Sequence, residues 1–586
     1  MQMFTKWMKR FIFNCAVLTL TALFMRTVAL AFNASVTKKV GAECIGLFSL
    51  IMSVYGFSVT LATSGVNLAV TRMVSEYVGV GDMKRARASF HKCLMYSAVF
   101  GSLASTGLFL LARPIGVGLL GDLRTVLSLK IMSISMLPIA FATCFSGYFT
   151  AVRRAAKNAV TQIFEQAVRI ILITYGLMLL MPAGIEYACV ALVGGGTLSE
   201  ILSFIFSLIL WFFDCRNMRG DISVEYAAEG ITGISKEKCT FEEKSVEKEK
   251  KEDNKNGLTK NKNMCIEKNM CAKSKGGNRK SLNPEKATGK KGGKYPSLTH
   301  EMLWITLPVA LSSYVRSLLV TIEHILIPKR LVRGGRNGTD ALKSYGALHG
   351  MAMPVIMYPY AFVGTFSGLL IPEISESVAS DDSKRIRRIT ERAITLTLFF
   401  SMGIAGIMIV FSSALGEGIY SSYEAGNYIA LIAPVLPIMY LDTVTDSILK
   451  GLGEQVYSMA VNISDSVLSI LMVWFILPIY GAKGYAIVIM VAEIYNFALS
   501  ITRLHSRVKF SFSALRSVLL PLALSVAVCR VYAKYVFPDF IYTNGEMALE
   551  ILICALTYAV LSYSALTLSR GICKRKSRKK RKTVLS

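Results

Sequence analysis

VSEYVGVGDMKRAR occupies residues 74–87, and ISESVASDDSKRIR occupies residues 374–387. Superposed, Ser75, Glu76, Asp82, Lys84, Arg85 and Arg87 fall on Ser375, Glu376, Asp382, Lys384, Arg385 and Arg387, a shift of 300 positions (375 − 75). The same shift carries Gly46 onto Gly346 and Glu165 onto Asp465. Ser199-Glu200-Ile201 with Phe204 returns as Ala492-Glu493-Ile494 with Phe497 (493 − 200 = 293), and Arg26 returns as Arg316 (316 − 26 = 290). Insertions in connecting loops account for the drift. Self-similarity on this scale reads as one helical unit used twice.

Apolar segments surround both copies. The 586 residues are 53% hydrophobic, with a mean hydropathy of +0.48, too apolar for a soluble globular chain of this size. About fourteen segments, from 11–34 to 546–569, are long enough to cross ~30 Å of hydrocarbon. The expected fold class is therefore an all-α polytopic membrane protein. Residues 1–215 form a first lobe of six helices and 299–507 a second of six, with two further helices in 508–573. Between the lobes, 216–298 is rich in Lys, Glu, Asn and Gly and lacks apolar periodicity, so it reads as a disordered, basic insert. Residues 574–586 form a basic tail.

The net charge of +28 is concentrated in 235–294 and in KRKSRKKRK, 574–582. Basic tracts beside membrane helices mark the cytoplasmic side and rest against anionic lipid, and this reading is preferred to nucleic-acid binding. Loop charge alternates as an even helix count requires, which places both termini in the cytoplasm. One loop disagrees. Lys329, Arg330, Arg333, Arg336 and Lys343 fall on the expected outer side, with Lys38, Lys39, Arg113 and Arg124 as milder exceptions. Either the 329–343 segment has a functional reason to be basic, or the count is off by a helix nearby. Residues 1–31 mimic a signal peptide, but Arg26 interrupts the apolar run before Ala29-Leu30-Ala31, so an uncleaved first helix is expected. The twelve cysteines show no ligand spacing, and neither zinc nor a disulfide framework is expected.

Ionisable residues at bilayer depth are costly unless paired or hydrated. Arg26, Glu165, Arg169, Glu200, Arg316, Glu323, His324, Asp442, Asp446, Asp465 and Glu493 all fall in expected spans, which argues for a water-filled cavity between the lobes. Two arginines related by the repeat, Arg26 and Arg316, suit a diphosphate because the guanidinium fork grips phosphate bidentately. Snorkelling or pairing with a buried Glu is the competing reading. Glu165 and Arg169, four apart, form an internal ion pair or line the cavity. Asp442 and Asp446, four apart near Thr443 and Thr445, hold a sodium ion or proton or else line a cytoplasmic opening; Asp465 joins them as a candidate for ion coupling. Glu200 and Glu493 are candidates for the cavity or for ion pairs. Pro138, Pro308, Pro354, Pro359, Pro434, Pro437 and Gly194–Gly196 lie inside spans, as hinges or as static kinks. No nucleophile elbow, P-loop or metal-ligand cluster points to catalysis, a metal or ATP.

Several stretches together carry a resemblance: Arg26 followed by VGAECIGLFSL, SGVNLAVTRMVSEY, SGYFTAVRRAAKNAVTQIFEQAVRI, LPVALSSYVRSLL, IPKRL, SYGALHGMAMPV, LLIPEISES and SILKGLGEQ. The chain resembles the multidrug/oligosaccharidyl-lipid/polysaccharide exporter superfamily, and within it the stage V sporulation protein B-like branch of polysaccharide and lipid II flippases. The resemblance implies two six-helix bundles arranged as a V, with two extra helices beside a groove for a lipid tail. It further implies alternating access that moves an undecaprenyl-diphosphate-linked sugar outward for cell-wall or spore-cortex synthesis, with Arg26, Arg169 and Arg316 on the diphosphate. Membrane lipids and cell-wall synthesis proteins are the implied partners, and membrane potential or a sodium or proton gradient the implied drive. The long insert departs from that pattern. A proton- or sodium-coupled multidrug antiporter of the same superfamily is the alternative, disfavoured because the first helix carries Arg26 and no carboxylate. A membrane glycan polymerase would need a catalytic carboxylate on a sizeable outer loop, where 331–342 offers only Asp340. A non-transporting scaffold is the remaining reading.

Overall fold

A computed structural model describes residues 2–79, 82–152, 154–217, 298–379, 381–510, 518–532, 534, 549–562 and 564. The insert expected at 216–298, with Cys239, Cys265 and Cys271, and the tail at 574–586 lie outside them apart from Arg216, Asn217 and Leu298. Among the described residues the structure is helical and without strands.

The first half comprises α1 (Gln2–Thr63), α2 (Val66–Gly79), α3 (Met83–Arg113), α4 (Thr125–Ala151), α5 (Ala155–Leu180) and α6 (Ile185–Asn217). The second begins with α7 (Leu298–Arg333) and α8 (Gly338–Tyr345), then passes through a π-helical turn at Gly346–Ala352 into α9 (Met353–Ile356) and α10 (Tyr360–Ala379). It continues as α11 (Ser383–Val410), α12 (Ser412–Tyr420), α13 (Tyr423–Ile432), α14 (Leu436–Gly451), α15 (Gln455–Tyr480) and α16 (Ala482–Val508). Two shorter helices follow, α17 (Leu520–Val531) and α18 (Leu549–Ser562).

Among the described residues ten helical stretches are long and apolar enough to cross a membrane, or eleven if a bent pair is one span, against the fourteen expected over the full sequence. The first two expected spans run together in α1, where two helical pieces join across a kink at Gly41, whose backbone is not helical (φ 79°, ψ 171°). Glycine supplies that positive φ without steric cost. The bent pair is the expected eighth span, broken between Met357 and Pro359 with a 57° change of axis. Pro354 and Pro359 flank that break, where a missing N–H removes the bonds that would carry the helix through. The last two expected spans are represented by α17 and α18, each too short among the described residues to count alone.

The repeated stretches explain two helix starts. Asp82 Oδ1 accepts from the Arg85 backbone N–H at 3.1 Å, and Asp382 Oδ1 accepts from Arg385 N–H at 2.9 Å. Each Asp is thus the N-cap of its helix, α3 or α11, in nearly the same conformation (φ −86°, ψ 78° and φ −91°, ψ 76°). Around these caps, α1–α4 and α6 pack into one bundle with α5 against α6, while α7 packs on α15, α15 on α16, and α14 on α10, α11 and α16. The outer faces keep large apolar side chains exposed, among them Leu110, Phe475 and Ile479, as a lipid-facing surface requires. The halves meet along α1, which touches α7, α8 and the 346–352 turn. There Gly46 and Gly346, related by the repeat, touch each other: a Cβ on Gly346 would lie 2.7 Å from Gly46 N and 3.0 Å from its Cα. Two copies of one position in contact mark the pseudo-twofold axis. Finally, α17 and α18 dock on α11, where Ser525 donates to Met402 O (2.7 Å) and Tyr558 OH to Phe399 O (2.7 Å).

Candidate functional site

Between the halves lies a cavity of about 530 Å³. Asn33, Ser49, Ser53 and Thr60 of α1 face Ser317, Thr321 and His324 of α7 across it, and Gly350 and Pro354 close it from the broken helix. The α7 residues recur at helical spacing, so α7 turns one polar stripe inward. Hydrogen bonds stitch its walls: Ser317 Oγ donates to Thr60 Oγ1 (3.2 Å), Thr321 Oγ1 to Ser53 O (3.1 Å), Tyr314 OH to Leu61 O (3.2 Å) and Asn33 Nδ2 to Gly350 O (3.1 Å). No carboxylate is among the lining residues.

Arg26 reaches across the halves. Its Nη1 donates to Met357 O at 2.8 Å, and the neighbouring Thr27 hydroxyl meets Tyr358 OH at 2.8 Å. The guanidinium thus satisfies a carbonyl at the break before α10 and remains exposed. Among the described residues no carboxylate pairs with it.

Arg169 is held otherwise. Glu165 accepts from its Nη2 at 2.7 Å, Glu200 stands 3.5 Å from the same nitrogen, and Ser199 accepts from its Nε at 3.3 Å. Ser203 donates to Glu165 (3.2 Å), and Tyr55 OH donates to Glu200 (2.5 Å). The arrangement is the ion-pair reading of Glu165 and Arg169, widened by a second carboxylate. It ties α1, α5 and α6 together, and Arg169 is not among the residues lining the cavity above. A guanidinium already facing two carboxylates has little field left for a phosphate.

Arg316 faces the second half. It lies two turns before Glu323 on one side of α7 and is not among the cavity's lining residues. Its charge acts on Asp442 of α14, Asp465 of α15 and Glu493 of α16. Asp442 and Asp465 each keep one buried carboxylate oxygen without a hydrogen-bond partner among the described residues. Asp446 also acts on Asp442 but is itself paired, with Lys450 Nζ at 2.6 Å and with Ser458 as a donor. The expected Asp442, Asp446 and Asp465 are thus joined by Glu493, and of the four only Asp446 has an ion pair among the described residues. Repeat arithmetic explains why these acids face only one arginine: Arg169 of the first half corresponds to Ser469 (169 + 300). Among the described residues no three His, Cys, Asp or Glu are arranged to hold a metal ion.

Two features escaped sequence reasoning. His324 and His349 stack edge to face with centroids 4.6 Å apart, His324 Nδ1 lies 2.8 Å from Tyr345 OH, and His349 packs on Tyr485 (5.1 Å). Glu323 beside them accepts from Ser469 (2.6 Å) and Tyr485 (3.2 Å). The motif SYGALHGMAMPV held His349 in plain view, but nothing in its spacing joined it to a residue 25 positions earlier (349 − 324). The second feature lies at the end carrying Asp82 and Asp382. Asp214 pairs with Arg154 and Lys157, while Glu454 pairs with Arg503 (2.8 Å) and Arg507. The shifts of 300 (454 − 154) and 293 (507 − 214) make these the same clamp with its charges exchanged.

Comparison with known proteins agrees with this architecture. A family model described as polysaccharide biosynthesis protein matches residues 12–224, and the MatE model matches 332–475. Stage V sporulation protein B of Bacillus subtilis (strain 168) is 23% identical over 444 residues, covering 76% of this chain and 73% of that protein. Lipid II flippase MurJ of the same organism is 20% identical over 555 residues, covering 92% and 91%. Among solved structures, lipid II flippase MurJ in an inward closed conformation superposes with a TM-score of 0.63 at 14% identity, over 94% of this chain and all of that one. An inward-facing multidrug resistance MATE family transporter of the MOP superfamily gives 0.56 at 13% identity, over 85% and 100%. With those two models on its two halves and relatives spanning most of its length, this multi-pass membrane protein is similar to the multidrug/oligosaccharidyl-lipid/polysaccharide exporters that its sequence resembles.

Proposed function

We propose that the protein is a flippase, carrying a lipid-linked sugar with a diphosphate headgroup across the cytoplasmic membrane by alternating access. The observation that carries this reading is the inter-lobe cavity, lined by hydroxyls, Asn and His, with Arg26 outside its lining but reaching across the same two halves without a carboxylate partner among the described residues. A cationic drug would find no carboxylate in the cavity, whereas a sugar finds hydrogen-bond partners, and Arg26 offers a phosphate a guanidinium where the halves meet. The two Bacillus subtilis relatives, one of them called a lipid II flippase, favour this cargo class over the antiporter reading. Asp442, Asp465 and Glu493 carry the coupling cation, sodium or proton, under the field of Arg316. Both termini face the cytoplasm, so the end bearing Asp82 and Asp382 is the inner one, where cell-wall synthesis proteins supply cargo.

The test is a leaflet-accessibility assay with labelled lipid-linked precursor in proteoliposomes. Protein-dependent exposure of the label on the opposite leaflet, lost in Arg26→Ala, is expected. Exposure equal in protein-free vesicles, combined with efflux of cationic dyes by the same preparation, would instead establish the antiporter.

A further inference from the structure

The loop that broke the charge rule, 329–343, is divided by the structure into two parts. Arg336 is locally satisfied: it donates to Ser344 Oγ at 2.7 Å, which donates to Glu424 at 3.0 Å. Lys329, Arg330 and Arg333 have no carboxylate partner among the described residues, and all three line one cavity of about 790 Å³. Arg330 is only 6% exposed and sits over the Trp474 ring, its Cζ 2.9 Å from the centroid, with Arg333 Cζ 5.8 Å from the same ring. The other cation in the wall, Arg124, is already paired with Asp122 (2.7 Å) and Glu43 (3.3 Å). Three positive charges without a carboxylate partner thus share a cavity whose remaining wall includes Asp122, already paired with Arg124, and the aliphatic Leu47, Leu326 and Val332.

These residues sit where α7 ends, on the side from which Lys and Arg are expected to be depleted when they serve only topology. Ordinary snorkelling would spread such side chains outward into the interface. Here one is buried against an aromatic face, and all three converge. Mutual repulsion of three cations is relieved by an anion with several acceptor oxygens, and the adjoining aliphatic wall suits a chain attached to it.

We propose that this cavity binds the phosphate-bearing headgroup of a lipid whose chains lie in the outer leaflet. The assignment of the leaflet rests on the orientation given under the proposed function. Leu47 and Arg124 come from the first half and the three cations and Trp474 from the second, so a bound headgroup ties the halves at their outer end. This site is separate from the cavity beside Arg26.

The test uses the full chain in phosphatidylcholine nanodiscs, with three probes added in turn: phosphatidylglycerol, undecaprenyl diphosphate and inorganic phosphate. Bound probe is read by native mass spectrometry. Retention of a phospholipid or polyprenyl probe is expected to weaken by about a hundred-fold in the Lys329→Gln/Arg330→Gln/Arg333→Gln variant. The lipid retained more tightly names the source of the headgroup. Equal retention by wild type and variant, or binding of inorganic phosphate as tight as either lipid, would overturn the proposal. The Lys329→Gln/Arg333→Gln double variant leaves the Arg330–Trp474 contact intact and keeps the test open if the triple variant misfolds. Arg26→Ala should lose transport but keep phosphatidylglycerol here, so failure of the flippase reading is distinguishable from failure of this one. Asn337→Cys, exposed and outside the cavity's lining, should react with an impermeant maleimide from outside intact cells, and protection there would overturn the leaflet assignment.

Discussion

Arg26 and Arg316 occupy corresponding places in the repeat, yet they do different things. Arg26 spans the halves to reach Met357 O, while the charge of Arg316 acts on Asp442, Asp465 and Glu493. Their variants should therefore fail differently. Arg26→Ala removes a charge-assisted contact, and transport of a diphosphate cargo should fall by about ten- to a hundred-fold, with normal membrane insertion. Arg26→Lys should recover only part of it, because a point charge cannot grip phosphate through two bonds. Asp465→Asn should instead flatten the dependence of transport on the sodium or proton gradient while leaving precursor binding in place. A gradient dependence unchanged in that variant would remove these carboxylates from the coupling step.

At the scale of elements, the two halves show one design executed with different residues. The Asp82 and Asp382 caps are the same device, and Asp382→Ala should lower stability by about 1 kcal/mol, read as a lower melting temperature in detergent. The inner clamps are the same device with reversed charge. Glu454→Arg should lower the melting temperature, and adding Arg507→Glu should restore part of the loss. Glu454 accepts a hydrogen bond from Arg503 and sits beside Arg507, which together hold its carboxyl below the usual carboxylate value. A depressed folded value means that the clamp's contribution is present above the unfolded carboxylate range and disappears as pH falls through the folded one. The wild type should consequently lose more stability between neutral and acid pH than Glu454→Gln does. These clamps were legible only as scattered charges in the sequence, because nothing in a 60-residue separation (214 − 154) states that two helix ends meet.

For the whole molecule, the alternating access proposed above would require α1 and α7 to part and rejoin. Gly46 and Gly346 allow their backbones to touch at the axis, and Thr60 and Ser317 meet through their hydroxyls at 3.2 Å. A Thr60→Cys/Ser317→Cys pair should crosslink under mild oxidation and stop transport, with recovery on reduction. Unimpeded transport in the crosslinked protein would show that this contact does not open during the cycle.

The sequence by itself determined the duplicated all-helical plan and the charges placed within apolar spans, because these depend on composition and spacing. It also exposed the misplaced basic loop, since a violation of charge asymmetry needs no coordinates. Only the tertiary structure decided which charges are neighbours: Arg169 with Glu200, Asp446 with Lys450, Arg330 on Trp474, and His324 against His349. Helical periodicity states which residues share a face, but the partner of that face is chosen by how whole helices pack, and in a bilayer every helix is apolar enough to pack on several others.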